Sequence, residues 1–284
     1  MPNQLSDMLK GQNVLLVGGG KMGMALMHGW LNAGLLPTQI MVQEPSPSEA
    51  LLAAGVALNP DAATLSSRPP QIVVLAIKPQ MIETVLPPLA DILPKQVMVL
   101  SLMAGVPIKT LSTLLGGSLA CVRTMPNTPA SIGRGMTALF ADTHVSALQK
   151  EAAAALLEAV GQTVWLDDEK LMDAVTAISG SGPAYVFHLA EALAASAQAL
   201  GVPVDMATQL AMQTVIGAAA MLDQEAGDPA QLRRNVTSPG GTTEAALDVL
   251  MSEAGLSNLM RQATQAAAQR SQELAQIGAD DTDG

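Results

Sequence analysis

Aromatic side chains are scarce in this chain: two Trp, two Phe and one Tyr among 284 residues. The core must therefore be built largely from Ala, Leu, Val and the 17 Met, small or flexible side chains that let helices approach closely. Cysteine is nearly absent, and Cys121 alone excludes an internal disulfide and a thiolate metal cluster. His28, His144 and His188 stand far apart without metal-ligand spacing, so no metal is expected. Positive charge is also short, 14 Lys and Arg against 25 Asp and Glu, for a net charge of −11. The basic residues are scattered, with Arg233-Arg234 the only adjacent pair. A phosphate backbone finds no electrostatic footprint here, so nucleic-acid binding is not expected. No apolar run approaches the roughly 20 residues needed to span a bilayer; Val215–Leu222 comes nearest and amounts to a turn or two of buried helix. Residues Met1–Gln12 contain no apolar h-region, so no secretory signal and no membrane partner are expected. A reducing cytoplasmic home fits these absences.

What is present is a globular composition, 49% apolar and only 14% charged, in a chain long enough for one large domain or two ordinary ones. The first half alternates short apolar runs with helical stretches. Asn13–Val17, Ile40–Gln43, Ile72–Ile77, Val97–Leu102, Leu119–Thr124, Met136–Phe140 and Thr163–Leu166 read as strands. Their hydrophobicity is continuous rather than alternating, as a strand covered on both faces requires. Helices between strands imply right-handed crossovers and a parallel sheet. Beyond Leu166 the pattern becomes helix after helix. Pro183–Leu200 has Pro in its first turn and Gly201 as its stop, and Pro203–Leu222 follows. Val204–Ala220 is apolar on nearly every side, and a helix of that kind must be covered. The C-terminal half is too small to cover it comfortably, so a homodimer interface is expected. The boundary falls near Asp167-Asp168, and the polar tail Gly278–Gly284 is expected to fray.

Gly18-x-Gly20-x-x-Gly23 follows the first strand directly and opens the helix Met22–Ala33, which Gly34 ends. In that context the glycines permit a tight turn and close backbone approach, and the helix N-terminus offers unpaired N–H groups to a pyrophosphate. Lys21 adds a positive charge beside that turn, or simply a solvated surface. Glu44 follows the second strand, where an acid would bind a ribose 2′-hydroxyl and repel a 2′-phosphate. Ser46 and Ser48 soften that preference, and NADH and NADPH both remain open. Ligands of open α/β sheets bind at the carboxyl ends of strands, which draws Ala76-Ile77-Lys78-Pro79, Ser101–Gly105 and Met125–Pro129 into the same crevice. Lys78 either snorkels to the surface or points at the ligand.

Two segments of the helical half exceed ordinary connections. Ile178–Tyr185 joins two helices through small, hydroxylated residues. Asn235–Thr243 contains Ser238-Pro239-Gly240-Gly241-Thr242-Thr243 before the helix Glu244–Leu250. A Pro-Gly-Gly turn feeding a helix is an anion nest, here suited to a carboxylate. There is no Ser-His-Asp arrangement, no catalytic cysteine setting and no paired-carboxylate motif. Hydride transfer needs none of these, because a nicotinamide carries the hard chemistry.

The chain resembles the pyrroline-5-carboxylate reductase family over roughly Asn13 to Leu274. The resemblance rests on Gly-Gly-Gly-Lys-Met-Gly at Gly18, Ala-Ile-Lys-Pro at Ala76, Arg-Thr-Met-Pro-Asn-Thr-Pro at Arg123, Ser-Gly-Ser-Gly-Pro-Ala-Tyr at Ser179 and Val-Thr-Ser-Pro-Gly-Gly-Thr-Thr-Glu-Ala at Val236. It implies an α/β fold: residues 1–167 form an NAD(P)-binding Rossmann domain, and 168–284 an all-helical dimerisation and substrate-binding domain. The implied activity is reduction of (S)-1-pyrroline-5-carboxylate to L-proline with NADH or NADPH, the last step of proline biosynthesis. The implied assembly is a homodimer, with decamers of five dimers frequent in the family, and the active site lies between one subunit's cofactor domain and the helices of the dimer. Carried over to this sequence, Val17, Gly18, Gly19, Gly20, Lys21, Met22, Glu44, Ala76, Ile77, Lys78, Pro79, Leu102, Met103, Ala104 and Asn235 contact the dinucleotide. Ser238, Gly240, Gly241, Thr242 and Thr243 hold the substrate, Thr243 bonding the ring nitrogen, with Glu169 nearby. The chain departs from the family at Glu44, where members often carry Ser, Thr or Asn-Arg. A β-hydroxyacid dehydrogenase shares the layout but relies on a lysine in the helical domain; Lys170, the only lysine after Lys150, lies outside any glycine-rich helix start. A non-catalytic dinucleotide-binding scaffold would have no use for Ser238–Thr243.

Overall fold

The computed structural model describes residues 4–117, 119–225 and 228–280. Eight strands form one sheet: β1 (Val14–Val17), β2 (Ile40–Gln43), β3 (Ala57–Leu58), β4 (Ile72–Leu75), β5 (Met98–Ser101), β6 (Ala120–Met125), β7 (Gly135–Ala141) and β8 (Gly161–Trp165). Their order is β3-β2-β1-β4-β5-β6-β7-β8. The chain thus winds outward from β1 in one direction, then returns to continue from its other edge at β4. That reversal beside β1 opens a crevice at the strand ends. Register aligns the ends, with Val17 opposite both Gln43 and Leu75.

The seven expected strands are present, and the sheet differs from expectation at two places. β3 is a two-residue edge strand, too short to leave a periodic signal. β7 runs antiparallel to β6. A parallel crossover needs a dozen or more residues, and the link 126–134 holds only a short 3-10 turn, Thr128–Ile132. The chain turns back instead. β8 then pairs parallel to β7 through the helix Ala147–Glu158.

β1, β4 and β5 are buried along their whole length, which explains their unbroken apolar runs. Alternate residues point to opposite faces. Leu16, Val42, Val74 and Leu100 join Met27, Trp30 and Leu156 on one side. Leu15, Val73 and Val99 join Leu86 and Leu111 on the other. Trp30 is fully buried, and its indole N–H donates to Leu156 O at 2.8 Å. Cys121 is also fully buried on β6, and burial, followed by the nearby charge of Asp142, pushes its thiol up to about 12. It is a core residue without nucleophilic character.

The contacts divide the described residues into a unit ending at Gly180, which the chain rejoins from Ala268, and a unit Ser181–Ala267. The boundary read from the sequence, 167/168, lies inside the first unit. The second unit holds the helices Gly182–Ala199, Val204–Glu225, Pro229–Asn235 and Thr242–Leu250 and the start of Leu256–Asp280. The first two of these pack against each other. Among its described residues only Ala207 and Ala211 are buried in the single chain, while Phe187, Leu200, Val204 and Leu210 stand exposed. The last helix continues through Asp280, and residues 281–284 of the expected frayed tail lie outside the described residues.

Candidate active site

The first βα turn is built by close backbone approach. A Cβ at Gly18, whose φ is 104°, would lie 2.5 Å from Ala76 O, and one at Gly23 would fall on the carbonyl oxygen of Gly18. Only glycine lets the helix Lys21–Asn32 seat its first turn directly on the end of β1. Gly20 is the N-cap and supplies no side-chain cap. The first-turn N–H groups therefore lack partners inside the helix, and they sit at the positive end of its dipole.

A cleft of about 700 Å³ opens beside this turn. Val17, Gly18 and Gly20, then Glu44, then Ala76, Ile77 and Lys78 line it, so three separate sequence-derived segments converge at adjacent strand ends. Lys78 is exposed and faces the cleft. Its far wall is apolar, formed by Pro60, Leu65, Met81, Val85 and Leu89. That wall suits the flat face of a purine and was absent from the sequence reading. In sequence Val85 and Leu89 look like the ordinary inner face of the helix Ile82–Ala90, and Pro60, Leu65 and Met81 come from two other segments that only the fold brings to the crevice.

The other sequence-derived cofactor residues lie outside the cleft lining. Lys21 is exposed at the helix start, Met22 is half-buried, and Pro79 begins the short turn Pro79–Met81. Leu102 and Ala104 are half-buried after β5, whereas the Met103 side chain is 2% exposed and belongs to the core. Met103 therefore offers its backbone, and its N–H donates to Ser101 Oγ at 3.3 Å. Asn235 sits at the end of a helix in the second unit, its Oδ1 accepting from Gln231 Nε2 at 2.7 Å.

Glu44 is fixed from several directions. Its Oε2 accepts from Gly19 N–H at 2.7 Å and its Oε1 from Ser46 N–H at 3.0 Å. Asn59 grips its backbone, with Oδ1 accepting from Glu44 N–H at 2.8 Å and Nδ2 donating to Glu44 O at 2.9 Å. Asn59 itself has φ 47°, a left-handed conformation that asparagine tolerates better than most residues.

Glu169 Oε1 accepts from Arg123 Nη1 and from Ile108 N–H, both at 2.9 Å. The Arg123 side chain is 6% exposed. The pair ties the end of β6 to the start of the helix Ile108–Leu114, and removing either partner would leave a poorly solvated charge. Asn127 performs a similar clamp. Its Nδ2 donates to Ser179 O and Oγ at 3.2 and 3.3 Å, and its Oδ1 accepts from Met136 N–H at 2.9 Å. The Arg123 and Ser179 motifs thus meet in one place. Ser179 and Gly180 close a π-helical turn, Thr176–Gly180, a distortion frequent at functional sites.

In the second unit, Gly241 N–H donates to Ser238 O at 3.0 Å and caps the helix Thr242–Leu250 without a side chain. Gly240 N–H donates to Glu244 Oε2 at 2.6 Å. A carboxylate of the chain itself thus rests on one N–H of this turn. Thr243 is half-buried in the first turn.

Residues 169–274 match the family model described as pyrroline-5-carboxylate reductase dimerisation, and residues 13–105 match NADP oxidoreductase coenzyme F420-dependent. The chain is 41% identical over 269 residues to a pyrroline-5-carboxylate reductase of Pseudomonas aeruginosa, covering 93% of this chain and 97% of that one. A relative of the same name from Pisum sativum is 36% identical, with 91% and 94% covered. The solved structure of a pyrroline-5-carboxylate reductase from Coxiella burnetii superposes with a TM-score of 0.86 at 38% identity, covering 94% of this chain and 99% of that one. A Plasmodium falciparum pyrroline carboxylate reductase with NADP bound gives 0.80 at 28% identity, with 93% and 98% covered.

Proposed function

The chain belongs to the pyrroline-5-carboxylate reductase family, and from that premise we propose that it reduces (S)-1-pyrroline-5-carboxylate to L-proline with NAD(P)H. The observation that carries the reading in this molecule is the convergence of Gly18–Gly20, Glu44 and Ala76–Lys78 on one cleft beside an uncapped helix N-terminus. The close approaches at Gly18 and Gly23 make a cradle that side chains would fill, which fits a pyrophosphate. When bound, the reduced nicotinamide supplies a hydride. Hydride adds to the C=N carbon of the protonated imine, the π electrons pass to nitrogen, and a secondary amine results.

The residues bind and orient. Val17 to Met22 hold the pyrophosphate, Glu44 the ribose, and Ala76–Pro79 with Leu102–Ala104 the nicotinamide side, with Asn235 completing the contact. On the substrate, Gly240, Thr242 and Thr243 receive the carboxylate through backbone N–H groups, displacing Glu244 from Gly240, while Ser238 and Gly241 close the turn on each other, and the Thr243 hydroxyl bonds the ring nitrogen. Glu169, held in its own unit by Arg123 and by Ile108 N–H, is counted with the substrate residues on the family resemblance. No acid stronger than the imine's own proton is needed, which suits the sparse ionisable chemistry of the chain. The reading includes a cytoplasmic home and a homodimer, with a decamer of five dimers as the alternative assembly. Among the described residues no helix is long and apolar enough to cross a membrane.

The test is oxidation of NADH and NADPH in parallel with pyrroline-5-carboxylate, with proline identified as product. Oxidation with neither dinucleotide would sink the reading and leave a scaffold that binds without turnover. Sedimentation of the same preparation reports whether its mass is that of a dimer or of ten chains.

A further inference from the structure

The two reduced dinucleotides differ only by a phosphate on the adenosine ribose, and the strand end that meets that ribose is built around Glu44. We infer that Glu44 is the specificity residue and that this chain is an NADH enzyme that rejects the 2′-phosphate of NADPH. The inference rests on the reductase reading above and adds to it the choice of hydride donor.

Three observations carry it. The first is rigidity. An acid at this place could still admit a 2′-phosphate by swinging aside, but here each carboxylate oxygen already accepts a backbone N–H, from Ser46 and from Gly19. Asn59 holds the residue's own N–H and carbonyl. A side chain at position 19 would press on Glu44, since its Cβ would lie 3.0 Å from Glu44 Cγ. Glycine there lets the carboxylate dock on the turn.

The second observation is lone-pair arithmetic. A carboxylate has about four acceptor sites, and two are filled. The remaining two match the 2′- and 3′-hydroxyl donors of an unphosphorylated ribose. A phosphate brings only further acceptors and negative charge, which that surface repels.

The third is that the cleft lining holds no cation next to Glu44 on its own strand end. Among the residues lining the cleft the only cation is Lys78. It follows β4, and the strand order puts β1 between β4 and β2. Arg68 is bound to Asn13 Oδ1 and Thr38 O, which precede β1 and β2 at the opposite ends of the strands. Of the two nearby serines, Ser46 gives its backbone N–H to Glu44, and Ser48 Oγ accepts from Leu51 N–H as the cap of Glu49–Ala53; neither brings a positive charge to set against a 2′-phosphate.

The experiment compares kcat/KM for NADH and NADPH in the wild-type chain and in Glu44→Gln, which keeps the size and removes the charge. NADH is expected to be favoured at least about tenfold, and Glu44→Gln to narrow that ratio by raising the efficiency of NADPH. Equal or better use of NADPH by the wild type overturns the inference. So does a wild-type NADH preference that the substitution leaves unchanged. Should Glu44→Gln melt early, displacement of NADH from the wild type decides. AMP should compete better than adenosine 2′,5′-bisphosphate, and the reverse order overturns the assignment. This binding arm needs no turnover. A chain that binds with the expected order yet oxidises neither dinucleotide would overturn the reductase reading and leave the role of Glu44 standing.

Discussion

At the scale of single residues, the proposed substrate turn is Gly240 to Thr243, and the hydroxyl of Thr243 is what would distinguish it from a plain carboxylate nest. Val has the shape of Thr and a comparable helix propensity, so Thr243→Val deletes the hydroxyl with little disturbance of the helix. A hydrogen bond to a charged group is worth roughly 1.5–3 kcal/mol, which corresponds to a fall of about tenfold to a hundredfold in kcat/KM for pyrroline-5-carboxylate. Dinucleotide affinity, measured by titration without substrate, should stay close to wild type. A variant that loses NADH affinity instead would place Thr243 on the cofactor rather than on the ring nitrogen.

At the scale of elements, the strand-turn-helix around Gly18 works by contact between backbones. Gly23→Ala adds one methyl that meets the carbonyl of Gly18, and a carbonyl in a strand turn cannot rotate away as a side chain can. Overpacking of this kind costs about 1–3 kcal/mol, set against a helix-propensity gain of at most about 1 kcal/mol. The variant should therefore unfold at lower denaturant and bind NADH more weakly. Gly20→Ala is the control, because a Cβ there meets open space and φ is −68°. Its melting should fall only by the small cost of alanine at an N-cap, and by less than that of Gly23→Ala. If both variants melt alike, the close approach at Gly23 is not what seats the helix.

The same element shows why part of the site was legible in the sequence. Val14 to Gly34 announces itself locally, since strand, turn and helix follow one another and Gly23 packs on Gly18 within the same turn. The crevice residues after β2 and β4 were legible because continuous apolar runs mark where strands end. The rest depends on contacts distant in sequence. Gly19 N–H meets Glu44 across 25 positions, Glu169 meets Arg123 across 46, and Asn127 meets Ser179 across 52. No periodicity encodes such pairings. The reversal at β7 was hidden for another reason. An apolar strand reads the same in either direction, and only the shortness of the link 126–134 argues for turning back.

At the scale of the whole molecule, the question is what covers the second unit. Leu200 is 86% exposed, Phe187 64% and Val204 62%, and Met206, Leu210 and Ile216 along the Val204–Glu225 helix are each more than half exposed. Soluble monomers rarely carry contiguous apolar surface beyond a few hundred Å², and the segment matched by the dimerisation model, 169–274, contains all of these residues. A second copy of the chain is the cover we propose for this surface. Leu210→Glu tests it, because glutamate is as good a helix former as leucine and the position is exposed in the isolated chain, so the fold of one subunit should survive. A symmetric interface repeats the substitution on both partners, and each buried, unpaired carboxylate costs several kcal/mol. The expected result is a sedimentation mass that falls to one chain at concentrations where the wild type is dimeric. The wild type's melting temperature should rise with protein concentration, since dimer formation stabilises the fold by mass action, while that of the variant should not. A Leu210→Glu chain that keeps its dimer mass would move the interface off this helix face, and the exposed leucines and methionines would then need another partner.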